Sequence, residues 1–275
     1  MTKNRVRSNF IIYLLLSFGA VIMVFPFLWS FLTSFKTLSE SLQVPPTFLP
    51  ASFAPSNYAL VWKDLPFGSF FINTGLMIVI RVIAACMLSA MAAYAFARLE
   101  FPGKNLLFIL VLIPMMVPSQ IYIYPVYLML SGIGLGNTIL GLVLPGLAST
   151  FGIFLLRQSF MTMPKELEEA AELDGCNVGQ TFLFVMLPLA KSGIVSVAIF
   201  TALFAYKDLL WPLIINNSAD KMTLSSGLAL LQGQYSTNYP ELMAGSVIAI
   251  LPMIALFLIF QKQFVAGIAA SGVKG

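Results

Sequence analysis

The chain has 275 residues, of which 59% are hydrophobic and only 9% are charged. Soluble domains carry roughly 25% charged residues, so this composition excludes an ordinary soluble domain and predicts a protein that crosses a membrane several times. The net charge of +4 is not concentrated in a basic tract that would bind nucleic acid, and the absence of histidine removes the commonest general base and metal ligand.

Six apolar stretches of about 20 residues, the length that crosses a hydrocarbon core of about 30 Å, predict an all-α bundle with six transmembrane helices. They cover residues 10–35, 69–97, 106–130, 138–156, 192–215 and 242–260. The N-terminus has no small-residue cleavage site after its apolar run, so the first stretch is predicted to be an uncleaved span. Pro114, Pro118 and Pro125 predict a bent or broken third helix.

The polar segments give the predicted domain organisation. It consists of an N-terminal segment 1–9, a first transmembrane helix 10–35, an extracytoplasmic segment 36–68, a membrane core 69–261 with a loop at about 157–191, and a tail 262–275. Cys86 and Cys176 lie far apart in different settings and predict neither a disulfide nor a metal site.

The distribution of lysine and arginine predicts the orientation, because such residues are enriched in cytoplasmic loops. With the N-terminus inside, ten of them lie in cytoplasmic segments: Lys3, Arg5, Arg7, Arg98, Lys104, Arg157, Lys165, Lys191, Lys262 and Lys274. Three lie outside: Lys36, Lys63 and Lys221. Both termini and the loop at 157–191 are therefore predicted to face the cytoplasm.

That loop concentrates the acidic residues of the chain. Five of eleven lie between positions 166 and 174: Glu166, Glu168, Glu169, Glu172 and Asp174. Thr162 or Met163 is predicted to cap a short helix that has Pro164 at its first position. Gly175 is predicted to end this helix, and Asn177 with Gln180 resembles a capping box that starts another.

Leu167, Ala170 and Ala171 fall at i, i+3 and i+4 and predict one apolar stripe, with Lys165, Glu168, Glu169 and Glu172 pointing elsewhere. Two alanines would allow another protein surface to approach the helix backbone closely. The alternative is a helix lying at the lipid headgroups, although the stripe lacks the aromatic and basic residues of interfacial anchors.

The spacing within this loop resembles a family signature. Glu169-Ala170-Ala171, three residues, Gly175, nine residues and Val185-Met186-Leu187-Pro188 resemble the EAA loop, EAA-x3-G-x9-I-x-L-P, of membrane subunits of binding-protein-dependent ABC importers. Val185 in place of isoleucine is the single departure. The resemblance implies the type I ABC importer permease fold, in which this loop forms a coupling helix that docks into a cytoplasmic ATPase.

Other segments resemble the carbohydrate branch of these permeases, in particular the second membrane subunit of maltose-type importers. They are the Ala92–Arg98 stretch followed by Phe101-Pro102-Gly103, the Phe204–Pro212 stretch, and the tail from Gln261 to Gly267 that ends Gly272-Val273-Lys274-Gly275. The branch often has Trp-Asn where this chain has Tyr206-Lys207. The resemblance covers nearly the whole chain.

The resemblance implies the rest of an import machine in a bacterial cytoplasmic (inner) membrane. It implies a second, different permease subunit, two cytoplasmic ATPase subunits, an extracytoplasmic solute-binding protein and a sugar substrate. No G-x4-G-K-[S/T] motif occurs, so ATP and Mg are expected in the ATPase and no cofactor in this chain. The residues implied in docking are Leu167, Glu169, Ala170, Ala171, Gly175 and Pro188.

Charged and aromatic residues at membrane depth are the candidates for the substrate path, since charge in lipid is costly. They are Arg81, Tyr206, Lys207, Asp208, Trp211 and Asn216, with Asn217 beside them. Two alternatives stay open: the aromatic residues belong to an interfacial belt and the charges bind the partner permease, or the companion subunit holds most of the sugar contacts.

Two other classes of protein give different expectations. A secondary transporter or channel predicts an intramembrane ion relay or paired repeats, and the sequence shows no carboxylate ladder and no obvious repeat. An intramembrane enzyme predicts histidine, paired aspartates or a Ser–Lys pair at membrane depth, whereas Asp208 stands alone in the sequence. The prediction is therefore a transport subunit and not an enzyme.

Overall fold

The computed structural model describes residues 2–233 and 236–272, with side chains described for residues 12–233 and 236–262. The end of the predicted tail motif, Val273-Lys274-Gly275, lies outside the described residues. Within them the regular structure is entirely helical. The chain divides into two compact units, residues 1–66 with 228–254 and residues 67–227 with 255–275.

In the first unit, the apolar helix α1 (Thr2–Thr33) leads into a compact hairpin that carries α2 (Leu38–Ser41) and α3 (Ser56–Asp64). Two charged side chains are buried in this hairpin. Lys36 donates to the carbonyl of Thr47 and lies over the ring of Trp29, and Glu40 accepts from the Ala51 amide at 2.6 Å. The hairpin is therefore ordered by polar contacts in its interior.

In the second unit, α4 (Phe67–Arg98) packs against α8 (Thr150–Met161) and α12 (Lys191–Tyr206). The helices approach closely at Gly152, where a Cβ would lie 2.6 Å from Ser89 Oγ, as is typical of membrane helices that pack through small residues. One core cluster is formed by Ala90, Ala93, Tyr94, Leu156, Phe160, Met186, Ala190 and Val197. A second is formed by Met77, Leu142, Val143, Ala205, Trp211 and Ile215.

Shorter helices connect these elements. They are α5 (Lys104–Leu112), α6 (Ile123–Gly132), α7 (Ile139–Val143), α9 (Glu166–Leu173), α10 (Val178–Gln180), α11 (Leu187–Leu189), α13 (Leu210–Ile215) and α14 (Leu224–Leu228). A π-helix covers Thr181–Met186, and α15 covers Tyr239–Gly272. Short 3₁₀ turns lie at Ile113–Met115, Ser119–Ile121, Leu144–Gly146, Ala219–Lys221 and Ala229–Leu231.

Within the described residues, three segments form continuous helices long and apolar enough to cross a membrane: Ile12–Thr33, Phe67–Arg98 and Tyr239–Lys262. They match the first, second and sixth predicted spans. If each of two bent pairs of helices is counted as one span, the number of candidate membrane spans becomes five. The third predicted span is two shorter apolar helices, Lys104–Met115 and Ile123–Gly132, as its three prolines suggested.

The fourth and fifth predicted spans were wrong as continuous helices. The fourth bends by 42° between Ile139–Gly146 and Thr150–Met161, and it continues beyond the predicted end at residue 156. The fifth ends at Tyr206 and resumes only at Leu210. Pro212 accounts for this break, because a proline ring clashes with the carbonyl four residues earlier, here that of Asp208.

Candidate functional site

The helix in the acidic loop is α9, and Gly175 ends it. Gly175 has φ = +84°, a left-handed conformation that glycine adopts without steric cost. Its amide donates to the Glu172 carbonyl at 3.0 Å, and the Cys176 amide donates to the Ala171 carbonyl at 2.9 Å. These two bonds form a Schellman motif, so the predicted C-terminal stop is confirmed.

The capping box after α9 is also confirmed. The Asn177 amide donates to Gln180 Oε1 at 2.8 Å, and the Gln180 amide donates to Asn177 Oδ1 at 3.0 Å. Both bonds are local, and the sequence spacing of three residues was enough to predict them.

The predicted N-terminal cap of α9 was wrong. The capping position is Lys165, which makes no side-chain bond to the helix, and Pro164 lies before the first turn. Thr162 lies three residues before this position, at the end of α8, where its hydroxyl donates to the Ser159 carbonyl at 2.8 Å. Glu166, Glu168 and Glu169 in the first turn favour this helix terminus electrostatically.

The two long faces of α9 differ in exposure. Leu167 and Glu168 are half-buried and Ala171 is buried, so this face lies against the chain itself. The opposite face presents Glu166, Glu169, Ala170 and Leu173 to the outside; we call it the α9 outer face. The three residues of the predicted apolar stripe therefore lie on two different faces of α9. Ala170 is on the exposed face, and Leu167 and Ala171 are on the inner face.

Leu173 is the apolar residue of the outer face that the sequence analysis missed. Leu173 is 89% exposed, although it is a leucine at the end of a helix. The sequence does contain a signal for this position. Leu173 follows Ala170 by three residues and Glu169 by four, and residues with these spacings lie on the same side of a helix. The outer face thus combines one exposed leucine with carboxylates.

Arg98, the last residue of α4, holds the inner face of α9. Its Nε lies 3.3 Å from Glu168 Oε2, and its Nη2 donates to the Met163 carbonyl at 2.5 Å. The Arg98 side chain is only 7% exposed, so water screens these contacts weakly. The prediction that Glu168 points away with the other charged residues was wrong, because it did not include this cation as a neighbour.

The segment after α10 leads back towards the membrane core. The π-helix Thr181–Met186 places Phe182 against Tyr94 of α4, with ring centroids 5.1 Å apart. The helix axis then turns by 76° between Val178–Leu189 and Lys191–Tyr206. Ala190 at this bend is fully buried, and Pro188 lies two residues before it. The bend is therefore next to the proline that was expected to set the angle.

A cavity of about 530 Å³ lies at the break between α12 and α13. Four of the six predicted substrate-path residues line it: Arg81, Lys207, Asp208 and Trp211. Its other polar side chains come from Ser119, Gln120, Tyr122, Ser149 and Thr201. The broken third span supplies Ser119 and Gln120, so both helix interruptions contribute to the cavity.

Arg81 and Asp208 form an ion pair in its wall. Arg81 Nη1 lies 3.0 Å from Asp208 Oδ2, and Nη2 donates to the Leu142 carbonyl at 2.7 Å. Gly146 leaves room for the guanidinium, since a Cβ there would lie 2.4 Å from Arg81 Nε. Asp208 therefore does not stand alone, and Arg81 binds within its own chain.

Lys207 and Phe204 are the accessible pair of the cavity wall. Lys207 is exposed, and its Nζ lies 4.8 Å from the centroid of the ring of Phe204, a residue that is 54% exposed. Sequence reasoning named Lys207 but did not select Phe204. Their spacing of three residues on one helix was the signal that could have joined them.

Three other candidates have structural roles. Trp211 is buried, and its indole N–H lies 3.2 Å from the carbonyls of Gly141 and Leu142. Asn216 is fully buried outside the cavity lining and donates to the Lys221 carbonyl at 2.6 Å. The Tyr206 carbonyl accepts from Ser225, and its side chain does not line the cavity. Asn216 and Tyr206 are therefore not brought to the cavity.

Acidic and sulfur ligands are not gathered in the described part of the chain. There, no group of three His, Cys, Asp or Glu side chains is placed to hold a metal ion. Cys86 and Cys176 are both free. The chemistry that this arrangement offers is hydrogen bonding and aromatic contact in the cavity, and an exposed surface of carboxylates and one leucine on α9.

Comparison with known proteins gives a family over most of the sequence. Residues 85–269 match the family described as "Binding-protein-dependent transport system inner membrane component". The bacterial ABC transporter involved in import of the acidic polysaccharide alginate has the same fold. Its matched chain superposes with a TM-score of 0.80 at 21% identity, over 95% of this chain and 98% of that one.

Curated relatives match nearly end to end. The arabinooligosaccharides transport system permease protein AraQ of Halalkalibacterium halodurans is 35% identical over 94% of both chains. The diacetylchitobiose uptake system permease protein NgcG of Streptomyces coelicolor is 35% identical over 97% of this chain and 89% of its own. The sn-glycerol-3-phosphate transport system permease protein UgpE of Yersinia enterocolitica is 28% identical over 98% and 99%.

These relatives are named as permeases and not as enzymes, which confirms the prediction of a transport subunit. The fold is the helical ABC importer permease fold, as the EAA spacing implied. The chain belongs to the family of binding-protein-dependent transport system inner membrane components.

Proposed function

We propose that this chain is one of two different permease subunits of an ATP-driven importer, and that α9 couples it to a cytoplasmic ATPase. The observation that carries the proposal is the division of α9 into an inner face held by Arg98 and an outer face exposing Leu173. ATP and Mg would be bound by two ATPase subunits, and an extracytoplasmic binding protein would deliver the solute.

The residues of the α9 outer face predict which side chains the ATPase should have on the surface that contacts it. Glu166 and Glu169 are exposed there, and Glu172 beside them is also exposed, so the facing surface should carry basic side chains. Leu173 should enter an apolar pocket, since a leucine side chain contributes about 1.5–3 kcal/mol when fully buried. Ala170 allows the surfaces to approach closely, and Gly175 and Pro188 set the geometry of the loop.

The inner face supports a route for transmitting motion. Because Arg98 bonds both Glu168 and the Met163 carbonyl, a displacement of α9 would act directly on the end of α4. At the cavity, Arg81 on the same helix bonds Asp208 at the helix break. ATP would then shift the equilibrium by binding one conformation better than the other.

The proposed substrate is a sugar or oligosaccharide. Two of the relatives are named for oligosaccharide uptake, and the cavity offers groups that bind hydroxyls. Lys207 and the exposed ring of Phe204 are the contacts we favour, because aromatic faces and ammonium groups suit hydroxyl-rich ligands. Arg81, Asp208 and Trp211 would hold the cavity wall in shape.

The proposed topology has six spans in the bacterial inner membrane with both termini in the cytoplasm. The excess of lysine and arginine in the segments assigned to the cytoplasm supports it. Each helix pair that is bent or broken would then count as one span. Residues 36–68 would lie outside, on the side where a binding protein docks.

Docking is tested by co-purifying the chain with the ATPase subunit of its own transport system. Wild type should form a stable complex, and Gly175→Asp and Leu173→Ser should weaken it or uncouple ATP hydrolysis from transport. Leu183→Ser is the matched control, because it removes another exposed leucine from the same loop. Equal binding and unchanged transport in all variants would refute docking through α9 and favour a transporter that needs no ATPase.

The cavity is tested separately by uptake of labelled oligosaccharides. Lys207→Met should raise the KM for uptake and leave the amount of folded protein unchanged. Arg81→Met should lower the amount of folded protein, because it leaves Asp208 without its donor and removes one of the two donors to the Leu142 carbonyl. An unchanged KM for Lys207→Met would assign the sugar contacts to the companion subunit.

A further inference from the structure

The tip of the hairpin that follows α1 is apolar and carries no exposed charge. Between residues 41 and 53 the exposed large side chains are Leu42, Val44, Phe48, Leu49 and Phe53, with Val44 94% exposed. No charged residue occurs in this stretch. The two charges just before it, Lys36 and Glu40, are buried and hydrogen-bonded inside the hairpin.

The tip is also held beside the membrane-spanning part of α1. The Phe48 ring lies 6.0 Å from that of Phe25 and 5.9 Å from that of Trp29. At 1.5 Å per residue, Trp29 and Phe25 lie about 6 and 12 Å before the end of α1 at Thr33. Phe48 therefore folds back along the helix instead of extending away from it.

The length of the span places this contact within the bilayer. The apolar run from residue 10 to Thr33 of α1 has 24 residues, which measure about 36 Å along a helix, slightly more than a hydrocarbon core of about 30 Å. Thr33 then lies near the hydrocarbon boundary, and Phe48 lies below it. Helices and loops that bind a membrane surface bury their apolar face about 5–10 Å deep, which agrees with this position.

We propose that residues 42–53 form an interfacial anchor that inserts into the lipid leaflet at the carboxyl end of α1. The occupant is lipid because the tip is continuous with the exposed apolar surface of the span and offers no charge for a polar partner. Buried Lys36 and Glu40 keep their charges out of the leaflet and hold the loop in shape. The anchor would fix the depth and rotation of α1, whatever solute the protein transports.

The test measures the depth of nitroxide labels on the full-length chain. Val44→Cys, Leu49→Cys and Lys63→Cys are made separately with Cys86→Ala and Cys176→Ser, and each protein is placed in nanodiscs of phosphatidylethanolamine and phosphatidylglycerol. Val44 and Leu49 are strongly exposed, so a label there displaces no packed neighbour. Lys63 is the control, as an exposed charged residue of α3.

Labels at positions 44 and 49 should collide with oxygen several-fold more often than with a water-soluble nickel chelate, and the order should reverse at position 63. Preference for the nickel chelate at all three positions would overturn the anchor. Shielding of positions 44 and 49 from both reagents would also overturn it, since a protein surface would then cover the tip. Two independent sites keep the test decisive if one variant does not fold.

Discussion

Gly175 offers a test of how far the shape of the α9 loop depends on one backbone conformation. Its φ of +84° lies in the left-handed region, and a Cβ built there would meet no atom within 4 Å. Gly175→Ala therefore changes the backbone energy without creating a clash. A non-glycine residue in this conformation costs about 1–2 kcal/mol, which is a factor of about 5–30 in an equilibrium constant.

Gly179→Ala is the matched control in the same loop. Gly179 lies in α10, and φ there is not in the left-handed region. The nearest atom to its added Cβ would be Asn177 Oδ1 at 3.4 Å, an ordinary contact. Alanine in a helix is favoured over glycine by about 0.5–1 kcal/mol, so this variant should be neutral or slightly more stable.

Hydrogen exchange at the Cys176 amide measures the effect directly, because this amide bonds the Ala171 carbonyl across the turn. Gly175→Ala should raise its exchange rate by about 5- to 30-fold, and Gly179→Ala should not. Coupled transport should fall in parallel with the opening of the loop. Equal exchange rates in the two variants would refute the argument that the left-handed turn organises α9.

Three further predictions concern charged groups and a close contact. Arg98→Met should destabilise the folded chain by about 2–4 kcal/mol in detergent unfolding, because Glu168 and a backbone carbonyl lose a nearly buried donor. Gly146→Ala should lower thermal stability, because the new methyl group would lie 2.4 Å from Arg81 Nε and must displace the guanidinium. The Ala51 amide is the main cause that holds the pKa of Glu40 below its ordinary value. The free energy that ionised Glu40 contributes to the folded hairpin should therefore be complete above about pH 4.3, and it should be lost as the pH falls through the lower pKa that Glu40 has in the folded chain.

Each of these has its own control. Glu168→Gln removes the charge but keeps a hydrogen-bond acceptor for Arg98, so it should cost less than Arg98→Met, and no loss of stability at all would contradict an ion pair. Gly68→Ala adds a methyl group where no atom lies within 4 Å, and it should leave stability nearly unchanged. Glu40→Gln should remove the acid-dependent step in proteolysis of the hairpin, and persistence of that step would assign it to another group.

Hydropathy and local spacing predicted the parts of this molecule that depend on neighbours in sequence. The three continuous spans follow from runs of apolar residues, and the Asn177–Gln180 box and the Gly175 stop follow from residues within one or two turns. The missed features depend on distant residues. Arg81 and Asp208 are 127 positions apart, and an apolar-stripe argument could not place Glu168 inward without knowing that Arg98 faces it.

The π-helix at Thr181–Met186 gives a physical reason why the number of residues between Gly175 and Pro188 in the family signature should be fixed. A π turn holds one residue more than the corresponding α-helical stretch, so it shifts the angular register of everything that follows. Deleting one residue there would restore regular winding and rotate Pro188 by about 100° around the helix axis. The 76° turn at Ala190 would then point the next helix away from its partners. The nine residues between Gly175 and Val185 therefore set the direction in which α12 leaves the loop that carries α9.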